Sequence, residues 1–422
     1  MRTIITFLND KGLKAGTTYA WQGREYEGGV FSLALRQFVD HDRMLVCNTP
    51  EAQRNTWPAL RDLNDPRIVP VPIPKGENTA ELWEMFERIT SQVDEGETVI
   101  FDITHGLRSL PFLVFLFAAY LKSAKRVQIE AIYYGALELG TPAPVIDLSE
   151  FVTILDWLTA TDQFVHTGDA RRLARLLNPR NERKGAVVEA SQALSEVSLA
   201  AFLCQPFHLM AQIGSLQQKL DTARAELEQL AQPFGMLQAG IERTFGSFKA
   251  DFTRDVVGGL QAQLRLIEWY YDNNQLIQAI TLAREWVINA VTFRLGMSID
   301  LRRESRRQME RAVSGLDKID RRMTDEVTGE RYTFTIEDLN EYGRRIYEEW
   351  PEREKLIKLW NELGAVRNAL DHAGHQIGSM ALDKIVNKTR TEVMPRMREL
   401  ARLWSLSSEE HPNHPAARLP HP

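Results

Sequence analysis

Three short runs near the start of the chain, TIITFL (3–8), MLVC (44–47) and TVIF (98–101), are built of apolar and β-branched residues throughout. A strand with one wet face alternates polar and apolar residues. Unbroken runs like these require cover on both faces. The cover is supplied in the intervening sequence. VFSLALRQFV (30–39) and SLPFLVFLFAAYL (109–121) are helix-type, and ELWEMFERITSQV (81–93) places Leu82, Met85, Phe86 and Ile89 at helical spacing. VQIEAIYYGAL (127–137) reads as a further strand, and TTYAWQGREYEG (17–28) as a hairpin turning at Gln22-Gly23. Strands alternating with helices imply parallel pairing through right-handed crossovers. Residues 1 to about 150 are therefore expected to form an open α/β sheet of Rossmann-like type.

In such sheets ligands gather beyond the carboxyl ends of the strands. Three polar, glycine-containing stretches fall there: NDKG after the first strand, DITHGLR after TVIF, and YYGALE after the last. In the second, a helix begins close to Thr104, His105, Gly106 and Arg108. Helix N-terminal amides favour anions. Gly106 admits close approach to the backbone, Thr104 and His105 offer hydrogen bonds, and the Arg108 guanidinium suits a phosphate or a base. Lys11 adds charge from the neighbouring loop. A second reading stands beside this one: Thr104 caps the helix, and Arg108 pairs with Asp102. No G-x-G-x-x-G follows the first strand and no G-x-x-x-x-G-K-[ST] occurs, which disfavours an ordinary dinucleotide site or P-loop.

The chain has 422 residues with a formal net charge of -6, which excludes an overall basic nucleic-acid binder but not a local basic site. Its two cysteines, Cys47 and Cys204, are far apart, so a reducing cytoplasm is the expected setting. MRTIITFLND lacks the pattern of a secretory leader, and the most apolar segment, 110–121, is shorter than the roughly 20 residues a membrane span needs.

From Phe151 the pattern becomes helical. Residues 151–177 read as short helices, and NPRNERKG (178–185) as a break. Long helical segments follow, two of them parted by DNN (272–274) and stopped at Gly296. Residues 298–345 are rich in charge and are expected to be an exposed insertion or a solvated helix pair. The tail from Ser407 is expected to be disordered, its His411, His414 and His421 without a fixed scaffold. One polar cluster stands out, VRNALDHAGH (366–375), where Arg367 and His372 form R-x4-H with Asn368 between them. On a helix Asn368 and His372 share a face. A histidine can move a proton at a 2′-hydroxyl or a 5′-oxygen, and a guanidinium can stabilise charge on phosphorus oxygens. That set suits RNA cleavage without a metal. The same spacing at Arg36 and His41 is read as incidental. At the second copy, an i,i+4 ion pair between Arg367 and Asp371 is the structural alternative.

DITHGLRSLP resembles the nucleotide-sensing motif of one branch of CARF domains, the CRISPR-associated Rossmann-like sensors. TIITFLND and TTYAWQGREYEGGVFSLAL resemble that branch's first strand, hairpin and first helix, and ARRLARLL its linker. VRNALDHAGH resembles the R-x4-6-H signature of HEPN ribonucleases. The resemblance, to a CARF–HEPN accessory ribonuclease of type III CRISPR systems, implies a Rossmann-like CARF domain over 1–150, a helical linker over 151–200, an all-α HEPN domain over 201–406 containing the insertion at about 298–345, and a disordered tail over 407–422. It further implies a cyclic oligoadenylate as allosteric activator, with cyclic tetra-adenylate the expected ring, held by Asn9, Lys11, Thr104, His105, Gly106 and Arg108 of two subunits. Arg367, Asn368 and His372 would cleave single-stranded RNA across a homodimer or a higher oligomer built from it. The ends left would be a 2′,3′-cyclic phosphate and a 5′-hydroxyl, with no metal, no other cofactor and no membrane involved. The rival from another class is a non-catalytic, ligand-responsive regulator that binds DNA or a protein through its helical half. A nucleotide-binding metabolic enzyme is a further rival, disfavoured by the missing phosphate loops.

Overall fold

The computed structural model describes residues 1–14, 16–106, 109–230, 232–299, 303–324, 329–371 and 380–407. Contacts divide the chain into two units, Met1–Leu158 and Thr159–Pro422.

The first unit is a mixed eight-stranded sheet with helices on both faces. Its strands are β1 (Arg2–Phe7), β2 (Thr18–Trp21), β3 (Arg24–Glu27), β4 (Arg43–Asn48), β5 (Ile68–Pro72), β6 (Thr98–Asp102), β7 (Gln128–Gly135) and β8 (Ala143–Asp147), in the order β3-β2-β8-β7-β6-β1-β4-β5. The five strands β7-β6-β1-β4-β5 pair in parallel. β8 runs antiparallel to β7, and the β2–β3 hairpin joins through β8. The helices are α1 (Phe31–Phe38), α2 (Pro50–Asn55), α3 (Pro58–Arg61), α4 (Thr79–Ser91) and α5 (Leu110–Lys125).

The unbroken apolar runs are explained by the packing. Successive side chains of a strand point to opposite faces. Ile5, Phe7, Leu45, Val99 and Phe101 enter one core with Met85 and Ile89 of α4 and Val114, Phe117 and Leu121 of α5. Ile4, Met44, Val46 and Ile100 enter the other with Phe31, Leu35 and Phe38 of α1. The sheet is less uniformly parallel than the sequence pattern predicts, and β5 and β8 are additional to the strands read from it. In β5, IVPVP, two prolines lack the N–H a central strand needs. The strand lies at the sheet's end and pairs on one side only, so those donors are not missed.

At the amino-terminal edge of the sheet, buried Glu97 accepts from Thr3 Oγ1 (2.6 Å), Asp94 N (2.9 Å) and Arg43 (3.0 Å). Glu97→Ala is expected to cost about 2–3 kcal/mol, since it leaves the largely buried Arg43 guanidinium without its carboxylate, with the Gln92 carbonyl (2.8 Å) still accepting from it. A urea midpoint unchanged from wild type would show that water replaces the carboxylate there.

The second unit is helical apart from a two-stranded ribbon. Its helices are α6 (Ser149–Thr167, which begins in the first unit), α7 (Arg171–Leu177), α8 (Ala186–Phe202), α9 (Pro206–Leu230), α10 (Gln232–Phe245), α11 (Val256–Asp272), α12 (Leu276–Arg294), α13 (Arg303–Leu316), α14 (Glu341–Glu349), α15 (Arg353–Asp371), α16 (Leu382–Lys388) and α17 (Met394–Leu403). α6 is a nineteen-residue helix where the sequence reading expects short ones. Residues 298–345 also differ from expectation. Met309, Ala312, Val313 and Leu316 recur at helical spacing among the charges, and all four are buried. α13 packs on α12, α14 and α15, so it is part of the core, and the ribbon (Arg322–Thr324 with Arg331–Thr333) is the exposed piece. Among the described residues no helix is long and apolar enough to cross a membrane. The expected tail lies, from residue 408, outside the described residues.

Candidate functional site

The strand order reverses direction between β1 and β6. Among the parallel strands, β4 and β5 lie on one side of β1, and the chain then returns to the opposite side of β1 to lay down β6 and β7; the β2–β3 hairpin comes between β1 and β4 in sequence. The two crossover chains leave the sheet in opposite directions there, opening a crevice at the carboxyl ends of the strands. A cavity of about 310 Å³ occupies that position. Its walls come from the ends of β1 (Phe7 and the loop Leu8–Lys11), β4 (Cys47, Thr49), β5 (Ile73) and β6 (Thr104–Gly106), with Met85 of α4 and Leu110 of α5. Asn9, Lys11, Thr104, His105 and Gly106 thus line one cavity. Arg108 lies outside the described residues.

The loop after β1 is fastened at several points. Asn9 Oδ1 accepts from Lys11 N (2.9 Å). The Asn9 carbonyl accepts from Thr56 Oγ1 (2.7 Å), the Asp10 carbonyl from Asn55 Nδ2 (2.7 Å), and the Asp10 carboxylate from Thr49 Oγ1. On the other wall, Asp102 at the end of β6 is fully buried, accepting from Thr6 Oγ1 (2.6 Å) and Thr104 N (2.8 Å). The Thr104 hydroxyl accepts from Gly135 N (2.7 Å), at the end of β7. Thr104 therefore ties two strand ends together and does not cap α5, whose N-cap is Ser109.

His105 reaches across to α1. Its Nε2 accepts from Phe31 N (3.2 Å), the first residue of a helix whose own N-cap, Val30, has no capping side chain. Accepting at Nε2 places the proton of the neutral ring on Nδ1. Burial lowers the His105 pKa and the Asp102 charge opposes it, while burial raises the Asp102 carboxyl against the charge of His105 and the hydrogen bonds from Thr6 and Thr104. Because the His105 value is depressed, the Phe31 contact is present above the ordinary histidine value of about 6.5 and is lost as pH falls through the folded value. In an NMR titration the His105 ring is expected to protonate below pH 6.5. A midpoint at or above that value would mean that Asp102 outweighs burial.

Gly106 adopts φ +115°, and an added Cβ would lie 2.9 Å from Leu110 Cδ2 and 3.3 Å from Phe7 Cβ. The backbone conformation strains any other residue there, and a side chain would also make Leu110 and Phe7 shift. The cavity also contains groups the sequence reading does not select: Asp10 beside Lys11, Thr49, and an apolar wall of Phe7, Ile73, Met85 and Leu110. A cation, amides and hydroxyls facing an apolar wall suit a nucleotide, with sugar and phosphate on the polar side and a base against the other.

In the second unit, Arg367 and Asn368 lie in the last turns of α15. Arg367 Nε meets Asp371 Oδ2 at 3.0 Å, with both side chains near half-exposed. Asn368 is exposed, and His372 lies outside the described residues. The other R-x4-H spacing is structural: Arg36 pairs with Asp65 (3.3 Å), and buried His41 Nδ1 bonds the Val39 carbonyl (3.0 Å).

Residues 153–252 match the family described as CRISPR-associated protein MJ1674, second domain. Part of this chain is therefore similar to a CRISPR-associated protein. The matched segment runs through position 200, where the sequence reading divides a linker from a helical domain. CRISPR-associated protein MJ1674 of Methanocaldococcus jannaschii is 32% identical over 160 residues, which is 35% of this chain and 24% of that protein. The match thus spans about a quarter of the length of that relative. Among solved structures, Enterococcus italicus Csm6 bound to cyclic hexa-2′-fluoro-hexa-dAMP aligns with a TM-score of 0.40 at 9% identity, over 97% of this chain and 96% of that one.

Proposed function

We propose that this chain is a single-stranded RNA endonuclease of CRISPR-linked antiviral defence, switched on by a cyclic oligoadenylate. The observation that carries the reading is the cavity at the β1/β6 switch point, where Asn9, Lys11, Thr104, His105 and Gly106 converge from two loops separated by more than 90 residues of sequence. The similarity of residues 153–252 to a CRISPR-associated protein supports the biological setting. In this reading residues 1–150 are the sensor, 151–200 a linker, and 201–406 the ribonuclease domain. Arg108 joins the sensor set, and a two-fold ring such as cyclic tetra-adenylate lies across a homodimer. Arg367, Asn368 and His372 of two subunits surround one RNA phosphate. Histidine transfers the proton, the guanidinium holds the developing charge, and the amide orients them. The neighbouring 2′-oxygen attacks, so the products are a 2′,3′-cyclic phosphate and a 5′-hydroxyl. The ring acts only through its greater affinity for the active arrangement.

A second reading, a ligand-responsive regulator without catalysis, is favoured by the Arg367–Asp371 ion pair, which engages the guanidinium in the absence of substrate. Purified protein mixed with labelled single-stranded RNA and synthetic cyclic oligoadenylates of several ring sizes separates the two. Ring-dependent cleavage supports the nuclease, and ring binding with intact RNA supports the regulator.

A further inference from the structure

One cation next to Arg367 is held differently from its neighbours. Arg284, on α12, places its guanidinium carbon 4.6 Å from the centre of the Trp360 ring on α15. Its carboxylate contact, Glu310 of α13, is at 3.7 Å, beyond hydrogen-bond reach, and its Nε is buried with no hydrogen-bond partner among the described residues. The surrounding arginines are better neutralised. Arg306 pairs with Glu285 as well as Glu310, and Arg367 with Asp371. Trp360 is itself fixed, its Nε1 donating to Ser314 Oγ (3.0 Å). Burial lowers the Arg284 pKa. Glu310 opposes this, Arg367 and Arg306 add to it, and Asp371 opposes it, so Arg284 lies within the field of the Arg367–Asp371 pair.

Helix geometry relates these residues. At about 100° per residue, Trp360, Gly364, Arg367 and Asp371 fall within roughly 60° of arc on α15, and Trp360 and Arg367 are about 10 Å apart along its axis. Gly364 lies between them. A Cβ built there meets nothing within 4 Å among the described residues, so none of their side chains fills the notch. Glycine inside a helix costs about 1 kcal/mol against alanine, and no packing among the described residues offsets it.

We propose that Arg284, backed by Trp360, binds an RNA phosphate next to the scissile one, with the nucleotide lying over Gly364 toward Arg367 and Asn368. An under-neutralised guanidinium, rigidly stacked and bordering an open notch, is complementary to a polyanion. The proposal rests on the ribonuclease reading and adds a substrate contact to it.

The test uses the full chain with saturating activator. Wild-type protein is first assayed for RNA cleavage. Affinity for RNA is then measured by fluorescence anisotropy over a range of salt, on a strand made uncleavable by 2′-deoxy substitution. Arg284→Gln is expected to weaken binding about tenfold and to reduce the slope of log Kd against log salt by about 0.7, the value for one phosphate contact on a single strand. Gly364→Gln, which fills the notch with a better helix former, is expected to keep or raise the melting temperature while weakening RNA binding. If wild type cleaves RNA but both variants bind it with unchanged affinity and slope, the phosphate site is wrong and the ribonuclease reading stands. If wild type neither binds nor cleaves RNA with any ring, both fall. Should Arg284→Gln fail to fold, Gly364→Gln alone decides: full RNA affinity with the notch filled overturns the proposal.

Discussion

His372→Ala, and separately Arg367→Ala, are expected to lower activated RNA cleavage by about 10²–10⁴-fold while leaving activator affinity at the wild-type value. The two losses have different origins. In the proposed mechanism, removing the imidazole deletes the group that moves the proton. In the same mechanism, removing the guanidinium deletes the charge that meets the developing negative phosphate oxygens. Neither residue lies in the unit that contains the cavity, which is why binding of the ring is expected to survive. Arg367→Lys is not a conservative control, because an ammonium cannot offer the paired donors of a guanidinium. Asp371→Asn is more informative. It releases Arg367 from its 3.0 Å ion pair. A rise in cleavage would show that the pair restrains the guanidinium, and a fall that it orients it. Cleavage that persists in both alanine variants, with the 2′,3′-cyclic phosphate end unchanged, would place the active site elsewhere.

Gly106→Val is expected to weaken activator binding by about 100-fold or more. Two costs add at that position. The backbone at φ +115° is strained for any side chain, by about 1–3 kcal/mol. The new carbon atoms meet Leu110 and Phe7, and overpacking of this kind costs about 1–3 kcal/mol more. The chain relieves either cost by moving the loop after β6, and that movement pulls Thr104 and His105 from their places on Gly135 and Phe31. Every 1.4 kcal/mol taken from binding is a factor of ten. Calorimetric titration with the ring reads the loss, and a thermal melt of the same sample shows whether the sheet is intact. Wild-type affinity in a folded variant would remove the backbone at Gly106 from the ligand's surroundings.

Much of the first unit is legible in its sequence because burial on both faces leaves so plain a signature. TIITFL, MLVC and TVIF can only be central strands, and the polar stretches that follow them are then bound to lie at one edge. The parts that elude such reading are those where a local rule is relaxed by position. IVPVP looks unlike a strand until its place at the end of the sheet makes the proline nitrogens harmless. APVID is short, and it is held between β7, the strand just before it, and β2, far back in the chain. In α13, four buried apolar residues are masked by a run of arginines and glutamates, two of which, Arg306 and Glu310, pair with residues of α12. Within the cavity, Asp10 stands in the NDKG stretch and is open to selection, whereas Thr49 and Met85 come from segments without a glycine, Met85 from the middle of an amphipathic helix. Arg284 belongs to the same class. In ITLAREWV it reads as one more charge on an amphipathic helix, and only the fold sets it over Trp360.

The fastening of Asn9 and Asp10 to Thr49, Asn55 and Thr56 bears on how a guest molecule would be received. A floppy loop must be frozen at the moment of capture, and the lost freedom is subtracted from affinity. Here that segment is frozen when the chain folds, so the host arrives already shaped. Cutting the stitches one at a time, for example with Thr56→Val, would then be felt as a slower and weaker capture with no contact to the guest removed.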